Sequence, residues 1–339
     1  MPFRARYGSS AAAAPAYCPQ IAECPNVTGP PVRWGIVPDT PLSAVLRAAA
    51  LLLADAGVPD PSVDAELLAA HVLGLGRGEL QAAAVRGDAL GEADARRLDD
   101  ALARRAAREP LQHITGLAPF RHLELAIGPG AFVPRPETEM VAQFAIDALL
   151  AAPAPEPIGV DLGTGSGAIA RAMADEVPHA AVHAVERSPE AHAWARRNLV
   201  AAPNATLVLG DLADTLAELD GRVDVVVSNP PYVPDAAIPR DPEVRLFDPP
   251  AALYGGEDGL DVVRAISTRA LRLLYPGGVL VLEHGELQGE GIRALLRADG
   301  WLATATHQDL THRDRVTTAL RPPLPADGSA GDADPARVD

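Results

Sequence analysis

The chain contains no lysine. All 29 basic residues among its 339 are arginine, so no chemistry through a lysine amine or Schiff base is open to it. Cysteine is nearly absent too. Cys18 and Cys24 alone argue against a disulfide framework and against a cysteine-based zinc site. Positive charge is in deficit: 45 acidic residues leave a formal net charge of −16. Domains that grip DNA or RNA through phosphates are usually basic, so direct nucleic-acid binding is not expected. No apolar run approaches the ~20 residues of a transmembrane helix. A cytoplasmic protein without membrane attachment is the expectation. What is abundant is apolar residue, 48% of the chain, enough for a sizeable core, and the length suffices for two domains.

Residues 1–38 are rich in Ala, Pro, Gly and Ser without a period and read as a disordered leader; 323–339 read as a disordered tail. From 39 to 115 the spacing is helical. Leu42, Val45 and Leu46 recur at three to four, as do Leu68, Val72 and Leu75, which predicts a bundle of four or five helices. Thr40-Pro41 and Ser62 read as helix starts, and Glu92, Asp94, Arg96 and Arg97 as a solvated outer face. The segment 116–135 carries short apolar alternations around Gly128-Pro129-Gly130 and predicts a β-hairpin between two domains. A helix follows over Met140 to Leu150. Within 136–322, strands are predicted near 158–162, 181–186, 205–209, 223–228, 279–283, 301–306 and 315–320. Helices are predicted near 167–176, 189–200, 260–275 and 288–298. This alternation means a doubly wound, mostly parallel α/β sheet.

Four predicted strand ends carry polar groups. The first runs through Asp161-Leu162-Gly163-Thr164-Gly165-Ser166-Gly167, whose glycines allow a tight turn and close approach to a ligand. Gly163, Gly165 and Ala168 also satisfy the dinucleotide G-x-G-x-x-A spacing, so a nicotinamide enzyme competes at this step. Two details favour S-adenosylmethionine: Asp161 offers a carboxylate to an amino or cationic group, and a second polar tip lies on a later strand. Glu186 ends the second strand, where it could take two ribose hydroxyls. Taken alone it is as readily a surface Glu beside Arg187. Gly210-Asp211-Leu212 ends the third, with Asp211 placed for an adenine amino group and Leu212 for its ring; a simple turn Asp explains it equally well. The fourth is Val225-Val226-Val227-Ser228-Asn229-Pro230-Pro231-Tyr232. Its β-branched run suits a strand covered on both faces, and the prolines end the ladder and hold Asn229 extended. The Asn229 oxygen and adjacent main-chain carbonyls could accept N–H groups of a substrate, with Tyr232 as an aromatic face. Glu283 follows the fifth strand and could face the same pocket. His113, His183, His284 and His307 show no metal-ligand spacing, and no metal is expected.

From Pro41 to Leu320 the chain resembles the protein-glutamine N5-methyltransferases of class I peptide-chain release factors, the HemK/PrmC type. The likeness rests on Arg108-Glu109-Pro110-Leu111-Gln112 with Thr115-Gly116, Pro134-Arg135-Pro136-Glu137-Thr138-Glu139, Asp161 to Gly167, Asn229-Pro230-Pro231-Tyr232, and Leu253-Tyr254-Gly255-Gly256-Glu257-Asp258-Gly259-Leu260. The resemblance implies a seven-stranded Rossmann-like class I methyltransferase domain behind a helical domain that docks the release factor. It implies S-adenosylmethionine as donor, yielding S-adenosylhomocysteine. Asp161, Gly163, Thr164, Gly165, Ser166, Gly167, Glu186, Asp211, Leu212 and Asn229 would hold the cofactor. Asn229, Pro230, Pro231 and Tyr232 would hold the target glutamine, with Asn229, Pro230 and Tyr232 carrying the catalysis. A monomer is expected. His113 stands where many members have Tyr, Glu186 where Asp is common, and Leu212 where some have Trp. The alternatives are an amino-methyltransferase of adenine or cytosine, which shares Asn-Pro-Pro-Tyr, a nicotinamide-dependent oxidoreductase, and a non-catalytic scaffold.

Overall fold

The computed structural model of the protein describes residues 35–323. Apart from residues 35–38 and 323, the leader and tail expected to be disordered lie outside the described residues. Five helices open the described chain: α1 (Leu42–Asp55), α2 (Pro61–Leu73), α3 (Arg77–Arg86), α4 (Glu92–Ala106) and the short α5 (Leu111–Thr115). Their spaced apolar residues meet in one core, with Leu53, Leu68, Leu80 and Leu98 fully buried. Pro61, not Ser62, opens α2, since proline's fixed φ and missing N–H suit the first helical position. The outer face of α4 is solvated as expected, with Arg96 paired to Glu92 and Arg97 to Asp94. Its last turn is not: Arg105 is 5% exposed.

The hairpin forms, but not around Gly128-Pro129-Gly130. It pairs β1 (Leu117–Phe120) with β2 (Leu123–Ala126) and turns at Arg121-His122. Tertiary contacts outweigh the local turn signal. Phe120 and Leu125 are buried in the core of the following domain. Arg121, at φ 55°, is locked by ion pairing to Glu176 and a 2.7 Å hydrogen bond to Gln143. The glycines serve close packing instead. A Cβ on Gly128 would lie 2.5 Å from the Trp194 ring, and the indole N–H donates to the Pro129 carbonyl at 3.1 Å.

Helix α6 (Thr138–Ala151) leads into an alternating series: β3 (Ile158–Leu162), α7 (Ala168–Glu176), β4 (Ala181–Glu186), α8 (Pro189–Leu199), β5 (Ala205–Leu209) and β6 (Val223–Ser228). Two short helices, α9 (Pro242–Phe247) and α10 (Pro250–Leu253), precede α11 (Asp261–Leu273), β7 (Leu274–Glu283), α12 (Gly289–Ala298), β8 (Leu302–Gln308) and β9 (Asp314–Leu320). Among the described residues the strands make one seven-stranded sheet, in the order β5-β4-β3-β6-β7-β9-β8, parallel except at β9. β6 is buried at all six positions, as its valine run requires, and its one acid, Asp224, accepts the Ile158 N–H at 2.7 Å.

The chain winds outward from β3 through β4 to β5, then crosses back to β6 on the other side of β3. The winding direction therefore reverses between β3 and β6. At such a switch the connections splay apart, opening a crevice at the carboxyl ends of the two strands.

Candidate active site

β3 and β6 deliver two polar tips to that crevice. Beyond Leu162 the chain turns through Gly163 to Gly167 into α7. Gly163 and Gly165 have φ of 73° and 59°, and a Cβ on either would meet nothing within 4 Å. The left-handed backbone demands glycine, and the empty space beside it admits a ligand to the main chain. Gly167 does different work, since a Cβ there would lie 3.2 Å from the Ala195 backbone of α8.

Asp161 is 1% exposed beneath this loop. Its Oδ2 accepts the Thr164 hydroxyl at 2.6 Å and the Ala170 N–H at 3.1 Å, whereas Oδ1 is buried without a partner. Burial pushes its carboxyl up to about 7, opposed by those two donors and aided by the Glu186 charge. Glu186 ends β4 and is turned into the loop. Its Oε2 accepts the Gly165 N–H and its Oε1 the Ser188 N–H, both at 2.8 Å. Each oxygen keeps further lone-pair capacity for a hydroxyl. Asp211 follows β5, exposed, with Oδ1 accepting the Ala213 N–H at 2.9 Å, while Leu212 packs half-buried on the neighbouring core. Gly210 donates to the Glu186 carbonyl at 2.9 Å, which keeps the ends of β4 and β5 side by side.

The second tip is fastened to the first. Ser228, fully buried at the end of β6, donates its hydroxyl to the Leu162 carbonyl at 2.6 Å. Asn229 begins one residue later, partly exposed, and its Nδ2 donates to the Thr138 hydroxyl at 3.4 Å. Pro230 is buried and Pro231 half-buried. Tyr232 donates to Glu283 Oε1 at 3.5 Å, and burial, with the Glu283 charge next, raises its phenol well above the usual range. The stretch Leu253 to Leu260 braces this tip main chain to main chain. Val233 donates to the Leu253 carbonyl at 2.8 Å, Gly255 to Val233 at 2.9 Å, and the Gln288 side chain to the Tyr232 carbonyl at 2.9 Å.

Every strand-end residue singled out in the sequence thus lies at the carboxyl edge of the sheet. Chemical reasoning from sequence missed the support beneath them. Thr138 stood out only within a run that resembles a family, and Ser228 and Gln288 carried no signal of their own. The residues suit S-adenosylmethionine. The orphaned Oδ1 of Asp161 matches an amino group, the glycine cradle a close-lying ligand, and the spare lone pairs of Glu186 a pair of hydroxyls.

The chain is also similar in sequence to known proteins. Residues 44–116 match the family model described as "PrmC N-terminal domain", and residues 141–253 match "Methyltransferase small domain". A release factor glutamine methyltransferase of Streptomyces coelicolor is 51% identical over 282 residues, covering 83% of this chain and 98% of that protein. The protein of that name from Bifidobacterium longum is 46% identical, over 82% of this chain and 99% of its own. That of Mycolicibacterium smegmatis is 45% identical, over 83% and 98%. With both tips on one sheet edge, and near-complete overlap with relatives at such identity, the chain belongs to the family of release factor glutamine methyltransferases.

Proposed function

We propose that the enzyme transfers a methyl group from S-adenosylmethionine to the side-chain amide nitrogen of a glutamine, that of the Gly-Gly-Gln motif of class I release factors, and that it does so as a cytoplasmic monomer. One observation supports this most. The Ser228–Leu162 hydrogen bond sets the Asn229 tip directly beside the glycine loop. Bound against Asp161, Gly163, Gly165 and Glu186, S-adenosylmethionine supplies an electrophilic methyl group. Thr164, Ser166, Asp211 and Leu212 shape the rest of its bed, and Gly167 contributes by seating the loop closely against α8.

A glutamine amide nitrogen is a weak nucleophile because its lone pair is delocalised. The Asn229 Oδ1 and the Pro230 carbonyl accept its two N–H bonds and hold the nitrogen in line. They also stabilise the positive charge that develops on it as the methyl would pass from sulfur to nitrogen, and one N–H proton then leaves to water. Pro231 keeps the two acceptors rigid, and Tyr232 packs against the amide plane. Most of the acceleration then comes from positioning, for which effective molarities of about 10⁵ M or more are known. The helical segment 39–115 is the part assigned to docking the release factor.

Mass spectrometry of a release factor after incubation with enzyme and cofactor tests this. One added methyl on the Gly-Gly-Gln glutamine is expected, and none on a DNA control. Asn229→Ala is expected to keep S-adenosylhomocysteine binding largely intact while transfer drops by about a hundredfold or more. Near-wild-type turnover in that variant would remove Asn229 from the mechanism.

A further inference from the structure

Glu283 closes β7 at the same sheet edge and is 1% exposed. It lies beneath the Asn229 tip. Its Oε1 receives the Tyr232 hydroxyl, its Oε2 is buried without a partner, and the Thr138 hydroxyl lies against the carboxyl. Thr138, 4% exposed, in turn accepts the Asn229 Nδ2–H on its Oγ1 at 3.4 Å. Glu283, Thr138 and Asn229 come from three separate elements and adjoin one another in turn. A buried carboxyl with an unsatisfied oxygen is costly, so its place under the substrate clamp calls for a reason.

The reason lies in the direction of the hydrogen bonds. A threonine hydroxyl has one proton and two acceptor sites, and an ionised carboxylate only accepts. With Glu283 ionised, the Thr138 proton points at it and Thr138 offers Asn229 only lone pairs. The NH2 end of the Asn229 carboxamide must then face Thr138, which leaves Oδ1 toward the substrate. With Glu283 protonated, it can donate to Thr138, whose own proton is freed to meet Asn229. The carboxamide is then free to turn, and its NH2 end would oppose the substrate N–H.

We propose that Glu283 is a positioning residue that acts through Thr138 to fix which end of the Asn229 carboxamide meets the target amide. The inference rests on the reading of Asn229 as the clamp. The surroundings set Glu283 to switch near neutrality. Burial pushes its carboxyl up to about 7; Thr138, Arg315 of β9 and Tyr232 oppose the rise, and Glu137 at the start of α6 adds to it. The neighbouring His284 is lowered, chiefly by burial, and its ring is occupied by the Gly285 carbonyl and Thr317.

The test is the pH profile of methyl transfer at saturating cofactor for the wild type, Glu283→Gln, Thr138→Val, Thr138→Ser and Asn229→Ala, with S-adenosylhomocysteine affinity measured on each. The wild-type kcat is expected to fall on the acid side of about pH 7 as one proton binds. Glu283→Gln and Thr138→Val each lose about tenfold to a hundredfold in kcat, keep cofactor affinity and lose the acid limb. Thr138→Ser recovers most of what Thr138→Val loses, and the Glu283→Gln/Thr138→Val pair is no worse than either alone. A Glu283→Gln enzyme with wild-type kcat, or with an intact acid limb, overturns the relay. Should that variant fail to fold, an intact acid limb in Thr138→Val does the same. If Asn229→Ala is inactive while Glu283→Gln is normal, only the relay falls; if Asn229→Ala is fully active, the clamp itself falls.

Discussion

At the scale of single residues, the carboxylates divide by how their oxygens are used. Both oxygens of Glu186 are held by main-chain N–H groups. One oxygen of Asp161 is not, and burial keeps its carboxyl near 7. An acid raised in this way contributes stability below the ordinary carboxylate value, and that contribution is lost as pH rises through about 7. A cationic amino group placed against the free oxygen favours the ionised form. Ligand binding should then release a proton, and S-adenosylhomocysteine affinity should rise between about pH 6 and pH 8. Calorimetry in two buffers of different ionisation enthalpy measures that release. Asp161→Asn should abolish it, and a pH-independent wild-type affinity would count against the assignment. The placement of these groups at the sheet edge was legible because each polar residue ends a strongly apolar run. Their supports were legible only in part: Glu283 ends a predicted strand and could be placed at the pocket, but nothing local marks Thr138 as the partner of an asparagine 91 residues away.

At the scale of elements, the brace over Leu253 to Leu260 ties geometry to rate. A Cβ on Gly255 would lie 2.5 Å from the Pro231 carbonyl and 2.7 Å from that of Gly259. Both obstacles are main chain, so the tip itself must shift. Misplacement of about 1 Å can cost a hundredfold in rate, so Gly255→Ala is expected to lower kcat at least tenfold while leaving cofactor affinity little changed. Single-turnover kinetics separates the two effects, and an unchanged transfer rate would show that the brace is slack. The same region marks where pattern reading ends. The strands announce themselves as short β-branched runs between turn residues, and long amphipathic helices by their period. The helices α9 and α10 are six and four residues long, each opened by a proline, and too short to show a period. The hairpin forms, but its turn lies elsewhere than expected for the opposite reason. Its best local turn signal, Gly128-Pro129-Gly130, answers to the Trp194 ring rather than to a turn.

At the scale of the whole molecule, the helical bundle and the sheet have separate cores, and a charged network joins them. Arg105 pairs with Asp64 of α2 at 2.6 Å and with Glu243 of α9 at 2.9 Å, and Arg108 pairs with Glu243 at 2.6 Å. The side chains of Arg105 and Glu243 are 6% and 13% exposed, so these are not solvent-screened surface pairs. Burial pushes the Glu243 carboxyl up, but the hydrogen bonds from Arg108 and Arg105 prevail and leave it below the usual range. Its contribution is therefore present at neutral pH and is lost only as pH falls through that lowered value. Glu243→Ala leaves two guanidinium groups facing a gap. Removing one partner of a buried pair costs about 3 kcal/mol, the low end applying because Asp64 still holds Arg105. That loss falls on the junction, not on either core. In scanning calorimetry the wild type is expected to unfold in one transition, and Glu243→Ala in two, with the bundle melting first. Because α9 follows the Asn229 tip in the chain, the variant should also weaken methylation of a whole release factor more than binding of S-adenosylhomocysteine. A single transition at the wild-type temperature would mean that the apolar contacts of α5 and the hairpin hold the two units together without the charges.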